Sequence, residues 1–169
     1  MNLVGIGYDV HRFAEGRALV LGGVEIPHSQ GLDGHSDADV LCHAIADAIL
    51  GAIGEADIGH HFPNTDPACF GMSSLEIVRR AVELVEAQGG RLNNIDATLV
   101  AEVPKIAPHL AEMKANLAQV TKLTERRVGI KATTNERMGF LGRQEGIAAM
   151  AVASVEMDGS YGAPTGAAD

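Results

Sequence analysis

Apolar and polar positions along this chain switch between a period of two and a period of 3.6. Residues 3–8 are an apolar run that reads as a strand, inside the stretch Gly5-Ile6-Gly7-Tyr8-Asp9-Val10-His11-Arg12-Phe13. If the strand continues over 3–11, positions two apart share a face, and Asp9 and His11 project side by side. Residues 18–27 hold two apolar runs split by Gly22-Gly23, a hairpin signal that Pro27 and the stretch 31–34 bring to an end. The helical period then takes over. Ser36 reads as an N-cap, with Asp39 three residues on in a capping-box-like pattern. Leu41, Ile45, Ala48, Ile49 and Ala52 form the apolar stripe of a helix ending near 51–54. Asp39, His43 and Asp47 recur every fourth residue and predict a polar stripe on another face. Residues 55–72 keep no period and predict a loop with a short helical turn at most.

A second helix opens at Ser73-Ser74-Leu75-Glu76, follows Leu75, Val78, Val82 and Val85, and stops at Gly89-Gly90. Over 94–103, Ile95, Ala97, Leu99 and Ala101 alternate with Asp96, Thr98, Val100 and Glu102, which is a strand pattern. A stiff connection, Pro104 to Pro108, leads to a third helix marked by Leu110, Met113, Leu117 and Val120. Val128, Ile130 and Ala132 mark another strand. Phe140 to Gly146 reads as a glycine-bearing turn. The run 147–155 is small or apolar on both strand faces and fits either a buried strand or an Ala-rich helix. Strands alternating with three helices predict one α/β domain, an α+β two-layer fold over residues 1–157, followed by a disordered Gly, Ala, Ser and Pro-rich tail over 158–169.

Composition narrows the function classes. With 169 residues and 46% hydrophobic content, the chain is long and apolar enough for a proper core. Thirteen basic against 22 acidic residues leave a net charge of -9, a poor balance for nucleic acid or an anionic membrane surface. An anionic ligand would therefore need bound cations or local donors. No apolar run approaches a spanning helix, and no basic-then-apolar leader opens the chain. Cys42 and Cys69 form no CxxC pair and read as free thiols, so a reducing cytoplasm is the expected compartment.

Candidate chemistry gathers at four places. Asp9 and His11 are half of a metal site, half of an acid/base pair, or a plain surface pair; spacing alone leaves the three open. His43, between Asp39 and Asp47, would complete a three-ligand metal set of the catalytic zinc type, and its flanking carboxylates suit the orientation of a ligand. His35 and Ser36 precede a predicted helix N-terminus, where free N–H groups favour an anion. Lys131, Thr133, Thr134 and Glu136 bring hydroxyls, a cation and a carboxylate to the end of a strand. Phosphate oxygens and a hard divalent ion both suit that set.

Several ordered motifs together carry a family resemblance. They are 5–11, Gly34-His35-Ser36-Asp37-Ala38-Asp39-Val40 with His43, Asp57-Ile58-Gly59, Phe62-Pro63-Asn64-Thr65-Asp66-Pro67, Pro104-Lys105, 131–136 and Gly139-Phe140-Leu141-Gly142-Arg143. In these, from residue 3 to residue 156, the chain resembles the 2-C-methyl-D-erythritol 2,4-cyclodiphosphate synthases of the non-mevalonate isoprenoid pathway. The resemblance implies a mixed sheet with helices on one face, packed around the three-fold axis of a homotrimer, with active sites between subunits. It implies zinc at Asp9, His11 and His43, and a second divalent ion, magnesium or manganese, at Glu136 and the diphosphate. The implied reaction is a cyclising, CMP-forming phosphorus–oxygen cleavage of 4-diphosphocytidyl-2-C-methyl-D-erythritol 2-phosphate. His35 and Thr134 would stabilise its transition state, and Ser36 would bind phosphate. Asp57, Gly59 and the 62–66 loop of Phe62, Pro63, Asn64, Thr65 and Asp66 would close over the methylerythritol portion, and Asp9, Val10, His11 and Ile58 would also bind substrate. Ala101, Glu102, Val103, Pro104, Lys105, Ile106 and Ala107, with Thr133, would hold the cytidine end, and Thr134, Asn135 and Glu136 would also bind substrate. Phe140 and Arg143 would lie near the three-fold cavity. The chain departs from the family pattern at Asn64, Phe70 and Met72-Ser73, all in the 62–73 loop. Two other classes fit the same residues: a non-catalytic trimeric binder of nucleotide or isoprenoid phosphates, and a zinc hydrolase.

Overall fold

The computed structural model describes residues 1–63, 65–159 and 161. The expectations for Asn64 and for most of the 158–169 tail fall outside them. The chain runs through β1 (Asn2–Ala14), β2 (Leu19–Leu21), β3 (Val24–Ile26), β4 (Gly31–Leu32), α1 (Val40–Ala52), α2 (Ile58–His61), α3 (Ser74–Ala87), β5 (Arg91–Val100), α4 (Leu110–Thr121), β6 (Val128–Thr133), α5 (Gly139–Gly142) and β7 (Gly146–Glu156). The main sheet has five strands in the order β4-β1-β7-β5-β6, and β2-β3 form a separate hairpin. β7 lies antiparallel between β1 and β5, and only β5 and β6 run parallel. The sheet is therefore mixed, as expected.

The run 147–155 resolves to a strand, because it pairs along its length with β1 on one side and β5 on the other. A central strand with two ladders has no spare hydrogen-bonding groups to lose to a helix. β1 extends to Ala14, and β5 starts at Arg91 rather than 94. Phe140–Gly146 is not a simple turn, since its first residues close the short helix α5.

Helix α1 is the core element, and it corrects two expectations. Its N-cap is Asp39, not Ser36: the Asp39 carboxylate accepts from Cys42 N at 3.1 Å and from Gly23 N at 2.8 Å. One side chain thus caps the helix and pins the β2–β3 hairpin to it. Burial raises the Asp39 carboxyl above the ordinary range. Second, the polar stripe is not solvated. Asp39 and His43 are buried with almost every other residue of the helix, so each of them must find a partner inside. Similarly, Ser73 caps α3 by position, but its side chain bonds no helix N–H, and the buried stripe runs through Ser74, Ile77, Val78, Ala81, Val82 and Val85.

Gly5 and Gly7 explain how α1 reaches the sheet. A Cβ on Gly7 would overlap the Ala44 carbonyl oxygen, and one on Gly5 would overlap that of Ala48. The glycines let the helix backbone lie directly on the strand. Because side chains alternate, Asp9 and His11 share that helix-facing side of β1 with Gly5 and Gly7. The opposite side presents Val4, Ile6, Tyr8 and Val10, continued on β7 by Met150 and Val152, all exposed in the single chain. Past β7, Met157 is buried and the Tyr161 hydroxyl donates to the Ile53 carbonyl.

Candidate metal centre and the cleft around it

Close contact of α1 with β1 carries His43 to the end of the strand where Asp9 and His11 project. Asp9 Oδ2 lies 2.9 Å from His11 Nε2 and 2.9 Å from His43 Nδ1, and the two ring nitrogens are 3.2 Å apart. Three ligand atoms therefore form a small triangle. Ligands at zinc bond lengths of about 2.0–2.1 Å in a tetrahedron are separated by about 3.3 Å, so the triangle needs only slight opening to hold such an ion. Among the described residues this is the one cluster of metal-ligating side chains.

The far nitrogen of each imidazole is also held. His11 Nδ1 donates to the Asp33 carbonyl at 2.5 Å, and His43 Nε2 lies 2.9 Å from Ser74 Oγ and 3.1 Å from Ser36 Oγ. Metal-ligating histidines are oriented in this way. The orienting groups differ from those expected. Asp39 serves as the cap, and Asp47 accepts from Ile58 N at 2.9 Å, so neither flanking carboxylate bonds His43. Burial opposes ionisation of Asp9, but the hydrogen bonds and charges of His11 and His43 outweigh it and hold its carboxyl well below the usual range. Burial likewise opposes the charged form of His11, and Asp9 overcomes it and raises the imidazole above its ordinary 6.5.

A cleft of about 240 Å³ opens over the triangle. His35, Ser36, Ile58, Gly59 and Phe62 line it, together with Cys69 and Met72, which had no assigned role. His35 is exposed at its rim, on a segment clamped from both sides. Arg17 donates to the Gly34 and Ser36 carbonyls at 2.6 Å each, while Gly71 N donates to the His35 carbonyl at 2.9 Å and Asp37 N to that of Met72 at 3.1 Å. Asp57 caps α2 through His60 N, and Pro63, Thr65 and Asp66 lie exposed beyond the helix.

The remaining predicted residues gather elsewhere. Val10, Ala148, Val100 and Thr133 form one cross-strand row, which puts Thr133 three strands, about 14 Å, from the Asp9–His11 end of β1. There the 101–107 segment and the 133–136 loop are joined. Ala101 N donates to the Thr133 carbonyl at 2.9 Å, and the Glu102 carboxylate accepts from Asn135 N and Arg137 N at 3.0 Å each. Val103 and Pro104 are partly buried. Ala101 and Ile106 are buried, so they can offer a ligand backbone groups rather than side chains, while Lys105 and Ala107 are exposed. Thr134 donates to Glu136 at 3.1 Å. Glu136 supplies a single carboxylate, so a divalent ion there would need phosphate oxygens and water for its other ligands. Lys131 does not join this group: it lies within β6, ion-paired with Asp96. Phe140 and Arg143 sit on and just after α5, the latter paired with Glu145 at 2.7 Å.

Comparison with known proteins gives the family and the fold. The model of the YgbB family matches residues 2–156. A protein of Akkermansia muciniphila named 2-C-methyl-D-erythritol 2,4-cyclodiphosphate synthase is 61% identical over 156 residues, 92% of each chain. One of the same name from Symbiobacterium thermophilum is 59% identical over 153 residues, 90% of this chain and 98% of that one. Among solved structures, the bifunctional IspDF of Campylobacter jejuni superposes with a TM-score of 0.89 at 41% identity, over 94% of this chain and 43% of that longer one. A CDP-bound 2C-methyl-D-erythritol-2,4-cyclodiphosphate synthase superposes with a TM-score of 0.83 at 37% identity, over 90% of this chain and 99% of that one. The chain belongs to the YgbB family, that of the 2-C-methyl-D-erythritol 2,4-cyclodiphosphate synthases.

Proposed function

We propose that this protein converts 4-diphosphocytidyl-2-C-methyl-D-erythritol 2-phosphate to 2-C-methyl-D-erythritol 2,4-cyclodiphosphate and CMP. The single observation that carries the reading is the Asp9–His11–His43 triangle at the floor of a cleft edged by His35 and Ser36. Its membership of the synthase family supplies the substrate class. The substrate's 2-phosphate oxygen bonds to the β-phosphorus, and the bond from that phosphorus to the oxygen bridging to the CMP phosphate breaks. Both reacting groups belong to one molecule, so positioning and charge neutralisation do most of the work.

Asp9, His11 and His43 would hold zinc, and Glu136 a magnesium or manganese ion shared with the diphosphate. Bound there, the ions supply positive charge to phosphate oxygens, which a chain of net charge -9 otherwise lacks. His35 and Thr134 donate to the oxygens that gain charge as the bond is exchanged. Ser36 fixes the phosphate end. Asp57, Ile58, Gly59 and Phe62 cover the methylerythritol carbons and exclude water, which favours ring closure over hydrolysis. Residues 101–107 with Thr133 hold the cytidine end.

In this reading the working unit is a homotrimer, with each active site built from the triangle of one chain and the 101–107 and 133–136 segments of the next. The separation of those clusters within one chain supports it, as does the exposed apolar face of β1 and β7. No helix among the described residues is long and apolar enough to cross a membrane; cytoplasmic placement is part of the same reading. The test is a product assay with metal-loaded protein. CMP and cyclic diphosphate in equal amounts are expected. A linear product would identify a hydrolase, and binding without CMP release would identify a non-catalytic carrier.

A further inference from the structure

Two side chains with no place in the mechanism above converge on the metal centre from outside. Ser74 is fully buried in the first turn of α3, yet it is not the cap of that helix, and its hydroxyl is 2.9 Å from His43 Nε2. The same hydroxyl donates to the Asp37 carboxylate. Asp37 is fixed in turn, since it accepts from Ser74 N at 3.0 Å and from Asp39 N at 3.2 Å. We infer that Ser74 and Asp37 are positioning residues that act through His43, fixing which of its nitrogens faces the metal and strengthening it as a ligand. This rests on the metal reading of the triangle.

Proton counting sets the direction of these bonds. An ionised carboxylate only accepts, so Ser74 gives its one proton to Asp37. Its oxygen then has only lone pairs for His43, and Nε2 must be the donor. In the neutral ring that ligates a metal, Nδ1 is then left with its lone pair, aimed at the triangle. Charge passed from Asp37 through the hydroxyl makes that lone pair more basic, as a carboxylate does when it bonds a ligand histidine directly. Ser36 cannot replace this pair. Its oxygen accepts from Ala38 N at 3.1 Å and stands 3.1 Å from Nε2 and 3.3 Å from Ser74 Oγ; no carboxylate receives its proton, which goes to the Ser74 oxygen or, once a ligand is bound, to a phosphate. Ser36 can therefore turn toward a ligand while Ser74 keeps His43 in register.

The test is zinc affinity of the metal-stripped full chain, measured by competition with a chromogenic chelator, with the visible spectrum of the cobalt-substituted protein beside it. Ser74→Ala and Asp37→Asn are expected to weaken zinc binding by about 10–100-fold and to alter the cobalt bands, with metal-free melting temperatures close to that of the unmodified chain. Ser36→Ala is expected to change affinity by less than about threefold, because the Ser74–Asp37 pair still fixes the ring. Unchanged affinity and spectra in both Ser74→Ala and Asp37→Asn would overturn the inference. So would metal-free variants that melt far below the unmodified chain, since the pair would then be a structural tie. An unmodified chain that takes up no zinc would instead overturn the metal reading, and this inference with it.

Discussion

At the residue scale, the proposed metal centre sets a proton against an ion. His11 and His43 together depress the Asp9 carboxyl against its burial, and Asp9 raises the His11 imidazole. His11, raised in the fold, adds stability that is fully present below its unfolded value of 6.5 and lost as pH climbs through the folded value. Asp9, depressed in the fold, adds stability present above its unfolded 3.8 and lost as pH falls through the folded value. Zinc requires His11 without its proton, so its affinity rises over the range in which the metal-free protein loses this contribution. Melting curves with and without zinc, taken from about pH 5 to about pH 9, should diverge as pH rises; parallel curves would contradict the assignment. His43→Ala should abolish zinc stoichiometry and product formation together, and full zinc retention would remove His43 from the ligand set. The three members of the triangle were legible as candidates because Asp9 and His11 alternate on a strand and His43 stands off the apolar stripe; the family resemblance, not the spacing, chose the metal reading among those left open. Ser74 was not, because a serine near a helix start reads as a cap, and its bond to an imidazole 31 residues away leaves no trace in local spacing.

At the element scale, β1 and α1 are one device. Two glycines remove the side chains that would keep helix and strand apart, and the approach they permit is what brings His43 to Asp9. Gly7→Ala is predicted to cost at least about 3 kcal/mol, the upper end of overpacking, because the added methyl meets helix backbone rather than a movable side chain. It should weaken zinc binding in the same variant. Chemical denaturation and metal titration check both; a fold of unchanged stability with full zinc affinity would show that the close approach is not needed. The alternation in β1 and β5 and the helical stripes were readable from pattern. The start of α1 was not: Ser36 and Asp39 both have capping chemistry, and the choice fell to Asp39 because the hairpin glycine Gly23 offers it a second N–H. Nor could pattern separate strand from helix over 147–155, where Ala149, Ala151 and Ala153 are small because α1 lies close on their side, and Met150 and Val152 on the other side are apolar yet exposed in the single chain.

At the scale of the whole molecule, the single chain holds its proposed active site in two pieces and leaves an apolar sheet face uncovered. Ile6, 73% exposed, lies in the middle of that face. Ile6→Asp should convert trimers to monomers in sedimentation and abolish turnover while leaving zinc binding intact, because the triangle is complete within one chain. Activity retained by a monomer would contradict the shared site. The family resemblance named both halves of the proposed site, but spacing along the chain could not reveal that they lie three strands apart. That distance depends on β7, the last strand in sequence, inserting between β1 and β5. The most direct measurement mixes two inactive chains, His43→Ala and Glu136→Gln, and follows CMP release. In rings assembled at random from equal amounts, roughly a quarter of the sites pair an intact triangle with an intact Glu136, and activity should return to about that fraction of the unmodified enzyme. No activity in the mixture would mean that triangle and Glu136 act within a single chain, and the account of a site shared between subunits would be wrong.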